Sequence, residues 1–270
     1  MINGYCDPRF LNLKEIFSHA VESQFEVGAA LAVEHEGELV VNLWGGHTDA
    51  LRTSSWQEDT LVNVWSVTKG VTATCIAKLI NDGLIDPQEK VSTYWPEYGC
   101  NGKEDTKVSD FLCHRAGMFG FQEGVPDGSW RDWKKFTDRL QNQAPIREPG
   151  SSQGYHAMTY GWLVGELIRR VDGRSTGKYF QEEIAIPLGI DFHIGLQESD
   201  FKRCADMIML DDLGEGSSID YMGLIKYVPN FILPKRYWNL KEAIKGGCLL
   251  YTSDAADEGL GVDLGGRRII

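Results

Sequence analysis

The feature that most restricts the fold is the order of helical and extended patterns in the first third of the chain. Apolar residues within 11–24 recur three and four positions apart, which predicts an amphipathic helix. Two apolar segments follow at 27–35 and 38–44, and Glu36-Gly37 between them predicts a tight turn and a two-stranded hairpin. A second helical pattern over 66–83 then predicts an α/β beginning in which strands and helices pack together.

A serine and a lysine stand three positions apart at the start of this second helix, directly after the apolar, strand-like run 61–64. A helix places positions i and i+3 on one face, so the amine of Lys69 can reach the hydroxyl of Ser66. Serine is a weak nucleophile at neutral pH, and a lysine activates it when burial lowers the pKa of the ammonium. Ser66 and Lys69 are therefore candidate catalytic residues. The alternative is a helix cap followed by a surface lysine, because Ser-x-x-Lys also occurs by chance.

The third candidate is Tyr155, which lies in a loop before a strong helical pattern over 159–171. A loop tyrosine is by default a packing residue with a solvated hydroxyl. Beside a lysine, however, its phenol can exchange a proton with the amine and with a serine hydroxyl.

Further segments complete the predicted secondary structure. We expect an extended or turning segment at 91–96, a short helix from 108 that stops at Gly117, and helices at 131–142 and 175–186.

A second serine motif is rejected. Gly150-Ser151-Ser152-Gln153-Gly154 matches the Gly-x-Ser-x-Gly nucleophile elbow, which requires a buried strand before it and a helix immediately after it. Pro145 and Pro149 precede the motif, and proline cannot donate to a central β-ladder.

The histidines show no metal-ligand spacing, so we expect neither a metal nor a cofactor. We interpret His114 as a structural hydrogen-bonding residue in a turn and His156 as a neighbour of the site.

Charge and cysteine usage exclude several classes of protein. The 270 residues carry a net charge of −12, which argues against a nucleic-acid partner and against binding to anionic membranes. No segment reaches the apolar length of a transmembrane helix or of a signal peptide. The six cysteines are scattered, so we interpret them as free thiols and expect a cytoplasmic protein.

The chain resembles the class C β-lactamase-related serine hydrolases and, among them, the family VIII carboxylesterases. The resemblance covers most of residues 4–200 and rests on these segments: Gly28-Ala29-Ala30, Leu43-Trp44-Gly45-Gly46, Ser66-Val67-Thr68-Lys69, 112–118, Pro149-Gly150 and 155–166. It implies a β-lactamase/penicillin-binding-protein-like fold of the α/β (α+β) class, with an antiparallel sheet, flanking helices and a helical domain. It also implies that Ser66 is acylated, that Lys69 and Tyr155 form its base system, and that the Ser66 N–H is half of an oxyanion hole. Which of the two bases takes the proton stays open.

The resemblance sets the expected domain limits. We predict a β-lactamase-related domain over 1–247, with an α/β part over 1–65 and a mainly helical part over 66–247. Residues 248–270 have no helical or strand periodicity, and we assign this non-native-looking tail no function.

Two departures from the family pattern bear on function. Position 157 is Ala where the family usually has the Asn of Tyr-x-Asn, which favours ester over β-lactam hydrolysis because no amide faces the substrate. The family's late Lys/His/Trp-x-Gly strand is also missing unless Lys245-Gly246-Gly247 supplies it, whereas Trp44-Gly45-Gly46 is interpreted as a turn. We expect a C-terminal truncation that removes strands and leaves a sheet edge uncovered.

The sequence therefore predicts a serine hydrolase that cleaves small esters or amides through an acyl-enzyme on Ser66. Within the same chemistry, the alternatives are a β-lactamase or a D-amino-acid peptidase. Outside it, the alternative is a non-catalytic or inactive truncated family member that acts as an interaction protein. The oligomeric state is left open.

Overall fold

The computed structural model describes residues 1–23, 25–123 and 132–208. These residues fall into two compact units, the first comprising described residues of 1–64 and 196–208 and the second those of 65–195. The tail at 248–270 and the tripeptide Lys245-Gly246-Gly247 lie outside the described residues. The predicted domain limits stay a prediction.

The first unit contains a three-stranded antiparallel sheet in the order β1-β3-β2. Its strands are β1 (Ile2–Cys6), β2 (Gly28–His35) and β3 (Glu38–Gly46). The predicted hairpin is confirmed, and Glu36 and Gly37 both have positive φ, at 52° and 80°, as a tight hairpin turn requires. The sequence reading missed β1, because a strand of five residues with Asn3 and Gly4 at its centre has no apolar alternation.

Helix α1 (Leu11–Glu22) confirms the helix predicted over 11–24 and lies against the sheet. Its buried Phe17 and Val21 form a core with Val40, Val41 and Leu43 of β3. Burial of this apolar surface is the main source of stability in a unit of this kind.

The strand predicted over 61–64 is wrong. Only Leu61 pairs, in an isolated parallel bridge to Cys204, with hydrogen bonds from Leu61 N to Arg203 O and from Ala205 N to Leu61 O, both 2.8 Å. Leu61 is fully buried. The apolar pattern of this run therefore reflects packing of side chains and not a ladder.

The second unit is helical in its described residues and is built around one helix, α6. Its helices are α2 (Val67–Asn81), α3 (Val91–Tyr94), α4 (Val108–Leu112), α5 (Trp133–Asn142), α6 (Thr159–Asp172), α7 (Thr176–Phe180) and α8 (Ile186–Leu188). Helix α6 contacts α2, α3, α4, α5 and α7, and its residues Leu163, Leu167 and Ile168 are fully buried. The helices predicted at 131–142 and 159–171 are confirmed.

Three predicted segments differ in detail. The helix predicted over 175–186 is α7 followed by a π-helical turn, Gln181–Ala185, and α8. The segment 91–96, expected to be extended or turning, is α3 followed by a 3-10 turn, Pro96–Tyr98. The helix predicted from 108 ends at Leu112, because His114 has a left-handed φ of 58° that no α-helix contains.

A buried carboxylate joins α5, α6 and the turn after α3. Glu166 of α6 accepts hydrogen bonds from Trp133 Nε1 at 2.7 Å and Arg170 Nε at 2.8 Å. Arg170 also pairs with Glu97 at 2.7 Å. Since an unpaired charge in this position would be costly, the network fixes how these elements pack.

A buried lysine closes the end of α5. The side chain of Lys103 is 1% exposed, and its ammonium donates to the carbonyls of Cys100 at 3.0 Å, Gln141 at 3.0 Å and Gln143 at 2.6 Å. The last carbonyls of a helix have no partner within the helix and carry partial negative charge. Lys103 therefore serves as a cap that ties the loop after α3 to α5.

We predict that Lys103→Met lowers the free energy of unfolding by about 2–4 kcal/mol, because it leaves three carbonyls without their charged donor. Urea denaturation followed by circular dichroism measures the change. Lys107→Met is the matched control: Lys107 is exposed, and we expect a change within about 0.5 kcal/mol. Equal losses in the two variants would contradict the capping role.

Candidate active site

Ser66 stands at the N-terminus of α2, where its hydroxyl is available for chemistry. It is the N-cap residue, yet its side chain makes no capping hydrogen bond, and the residue is exposed. The ammonium of Lys69, one turn into the helix, donates to Ser66 Oγ at 3.2 Å. The spacing of three residues thus brings the two side chains together as the sequence predicts, and the alternative of a simple helix cap is wrong.

The residue before the serine has an uncommon backbone conformation. Trp65 has a φ of 50°, a left-handed value that costs a non-glycine residue roughly 1–2 kcal/mol. The chain enters the helix immediately afterwards, with hydrogen bonds from Thr68 N to Trp65 O and from Lys69 N to Ser66 O, both 3.1 Å. Among the described residues, the N–H of Ser66 has no hydrogen-bond acceptor. Strain of this kind persists where the surrounding structure enforces it, often at functional sites.

Lys69 is half-buried between two aromatic rings. Its Nζ lies 5.2 Å from the ring centroid of Tyr155 and 6.0 Å from that of Tyr160. Burial lowers the pKa of Lys69, and this effect exceeds the opposing charge interaction and hydrogen bond with Tyr155, which raise it. A lysine with a lowered pKa is more often a neutral amine, which is the form that can accept a proton.

Tyr155 lies in the loop before α6, as predicted, with half of its surface exposed (50%). Its ring packs edge-on against the ring of His114, with 4.9 Å between centroids. The three candidate residues therefore lie together within the second unit, with Lys69 in contact with both of the others. Their catalytic roles stay predictions.

Tyr160 contributes to the site and was missed in the sequence analysis. Its hydroxyl donates to the backbone carbonyl of Lys69 at 3.4 Å, and burial raises its pKa to about 12, which keeps the phenol protonated. Tyr160 falls within the apolar pattern of α6, where an aromatic residue is indistinguishable from a core residue. The only sequence feature that could have placed Tyr160 at the site is its position five residues after Tyr155, at the start of a helix.

The rejected serine motif stays rejected. Neither a strand precedes it nor a helix directly follows it, because α6 begins only at Thr159. Ser152 Oγ accepts a hydrogen bond from Arg147 at 3.4 Å.

In the residues that the structure describes, no group of three or more His, Cys, Asp and Glu side chains could hold a metal ion. No helix among them is long and apolar enough to cross a membrane.

Comparison with known proteins gives relatives that include esterases, a beta-lactamase and penicillin-binding proteins. The chain is 38% identical over 212 residues to the esterase/beta-lactamase LipL of Mycobacterium tuberculosis, which covers 78% of the chain and 49% of LipL. It is 42% identical to the crystal structure of a family VIII carboxylesterase, with a TM-score of 0.74 over 77% of the chain and 57% of that structure. A penicillin-binding protein homologue from Caulobacter crescentus is 40% identical, with a TM-score of 0.75 over 77% of the chain and 56% of that structure.

These matches cover about half of the length of each relative. They confirm the predicted β-lactamase/penicillin-binding-protein-like fold and the resemblance to family VIII carboxylesterases. The family model described as Beta-lactamase matches residues 13–227, which is most of the chain. The chain belongs to the beta-lactamase family.

Proposed function

We propose that Ser66 is the nucleophile of a serine hydrolase that cleaves small esters. The observation that carries the proposal is the 3.2 Å contact between Ser66 Oγ and the amine of Lys69, whose pKa is lowered by burial. The same amine lies 5.2 Å from the ring centroid of Tyr155. A nucleophile within hydrogen-bonding distance of a tuned base is the general signature of covalent catalysis by serine.

The reaction proceeds in two acyl-transfer steps. Ser66 Oγ attacks the carbonyl carbon of the ester while its proton passes to the Lys69–Tyr155 pair, which returns it to the departing alcohol. Water, deprotonated by the same pair, then attacks the acyl-enzyme; the acid leaves and the Ser66 hydroxyl is restored. The N–H of Ser66, at the positive end of α2, is placed to stabilise the oxyanion that forms in each step.

The choice of esters rests on the residue two positions after Tyr155 and on the relatives. Ala157 offers no amide to a substrate. LipL, the family VIII carboxylesterase and EstB from Burkholderia gladioli are all named as esterases. The name of LipL also includes beta-lactamase, so β-lactams are the second candidate substrates.

A cytoplasmic location is part of the proposal. The five cysteines within the described residues are free thiols, as expected in a reducing compartment. The substrate is a small molecule, since the net charge of −12 disfavours nucleic acid as a partner.

We predict that a fluorophosphonate, which needs only an activated serine, labels the chain on Ser66. Ser66→Ala should abolish labelling, measured by peptide mass spectrometry. Ser152→Ala, in the rejected serine motif, should keep the full extent of labelling. Label that persists in Ser66→Ala would refute the assignment of the nucleophile.

The rate of this labelling should rise with pH, because the neutral amine of Lys69 is the active form. As the pH rises through the pKa of Lys69, the ammonium loses its proton; since burial lowers this pKa, the midpoint should fall below the ordinary lysine value of 10.5. Lys69→Arg keeps a positive charge that does not titrate, and it should label slowly at every pH. An unchanged pH profile in Lys69→Arg would contradict a base role for Lys69.

We expect turnover of a short-chain nitrophenyl ester to exceed turnover of a chromogenic cephalosporin by at least about tenfold in kcat/KM, a transition-state difference of roughly 1.4 kcal/mol. Both reactions should be lost in Ser66→Ala. A preference for the cephalosporin would overturn the choice of substrate class while leaving the nucleophile in place.

A further inference from the structure

We infer that His114 is a positioning residue that holds Tyr155 beside Lys69, through its backbone carbonyl and its ring nitrogen Nδ1. The inference rests on the proposed function, because it concerns the residue that shares the proton with Lys69.

His114 makes hydrogen bonds to both chain neighbours of Tyr155. Its carbonyl accepts from Gly154 N at 2.9 Å, and its Nδ1 accepts from His156 N at 3.2 Å. Tyr155 itself is half exposed, so packing restrains only one side of its ring. The two hydrogen bonds to His114 add a second restraint, because they fix the backbone on both sides of Tyr155.

The ring of His114 also contacts both aromatic residues that flank the amine. Its centroid lies 4.9 Å from that of Tyr155 and 5.0 Å from that of Tyr160, and these are the two rings next to Lys69 Nζ. A shift of His114 would therefore change the distance between the phenol and the amine.

The backbone at His114 is in a left-handed conformation, with a φ of 58°. This conformation is uncommon for a residue with a side chain, and Asn is among the residues that adopt it most readily. The strained turn directs the carbonyl and the ring of one residue toward the same short segment, 154–156.

The hydrogen bond to His156 N requires an unprotonated Nδ1, so the neutral ring carries its proton on Nε2. Two effects maintain this state: burial lowers the pKa of His114, and the positive charge of Lys69 lowers it further. Among the described residues, the rings of Tyr155, His156 and Tyr160 pack against it. None of them is a carboxylate that would favour the protonated form.

His156 anchors the far side of the segment. Its ring is fully buried, with Nδ1 2.7 Å from Gly154 O and with Nε2 accepting from Met118 N at 3.2 Å. Burial lowers the pKa of His156 to about 4, which keeps this ring neutral as well. Because His156 holds its own side of the loop, removal of the His114 acceptor should loosen the segment without unfolding it.

Two substitutions separate the acceptor from the rest of the side chain. His114→Asn places an amide oxygen near the position of Nδ1 and tolerates the left-handed backbone. His114→Gly tolerates the same backbone and has no side-chain acceptor. Both lose the ring contact with Tyr155, so they differ in the side-chain hydrogen bond and in the greater backbone freedom of glycine. His114→Ala also lacks the side-chain acceptor but has less backbone freedom than glycine; it should show the same loss, and it replaces His114→Gly if the glycine variant does not fold.

Amide hydrogen exchange measures how firmly the segment 154–156 is held, and the measurement does not depend on catalysis. Relative to the amide of Leu167 in α6, the amide of His156 should exchange about tenfold faster in His114→Gly than in His114→Asn, as expected for one lost hydrogen bond. Equal protection in the two variants would overturn the inference.

The rate of Ser66 labelling by a fluorophosphonate tests the consequence for chemistry. His114→Gly should label more slowly than His114→Asn, and this difference should disappear when Tyr155→Phe is added to both, because His114 acts through the phenol. A difference of the same size in the Tyr155→Phe background would overturn the positioning role. Absence of labelling in the unmodified chain would refute the proposed function instead, and the exchange comparison would still decide whether His114 holds the segment.

Discussion

The site depends on a lysine that is partly withdrawn from water next to a serine that is not. Water would keep the amine of Lys69 charged, and a charged amine cannot take a proton from Ser66. Burial shifts this balance, and the rings of Tyr155 and Tyr160 stabilise the residual charge without providing a carboxylate that would restore the ordinary pKa. Under the proposed function, this environment is what allows the 3.2 Å contact between Lys69 Nζ and Ser66 Oγ to serve proton transfer.

The rest of the second unit holds that environment in place. Helix α6 carries Tyr160 at its start and is fixed further along by the Glu166 network, which also connects α5. The cap formed by Lys103 closes the other end of α5. Lys103 is buried and Lys69 is half-buried, and their neighbours give them opposite roles. Three carbonyls surround the amine of Lys103 and hold its charge as a structural element, whereas Lys69 faces a hydroxyl and a phenol that can exchange protons.

Local sequence signals predicted those parts of the fold and site that depend on short-range spacing. The i, i+3 relation of Ser66 and Lys69, the hairpin turn at Glu36-Gly37 and the long apolar pattern of α6 follow from neighbouring residues alone. Local sequence signals gave wrong or incomplete predictions where contacts between residues distant in the sequence determine the structure. Leu61 is apolar because it is buried beside Cys204, which the sequence cannot show, and the helix at 108 ends early because His114 is held in a left-handed turn by the loop at 154–156. Tyr155 was a candidate from its own loop, but its pairing with Lys69 required a family resemblance, since nothing in its segment places the ring centroid 5.2 Å from an amine 86 positions earlier in the chain.

The central claim is that burial makes the amine of Lys69 a base, and a direct titration tests it. The Lys69 signal is identified in an NMR spectrum of lysine-labelled protein by its loss in Lys69→Arg, and its chemical shift is followed with pH. The account predicts a midpoint clearly below 10.5 in the folded protein. A midpoint at or above 10.5 would mean that the amine stays charged, and the acyl-transfer proposal would lose its base.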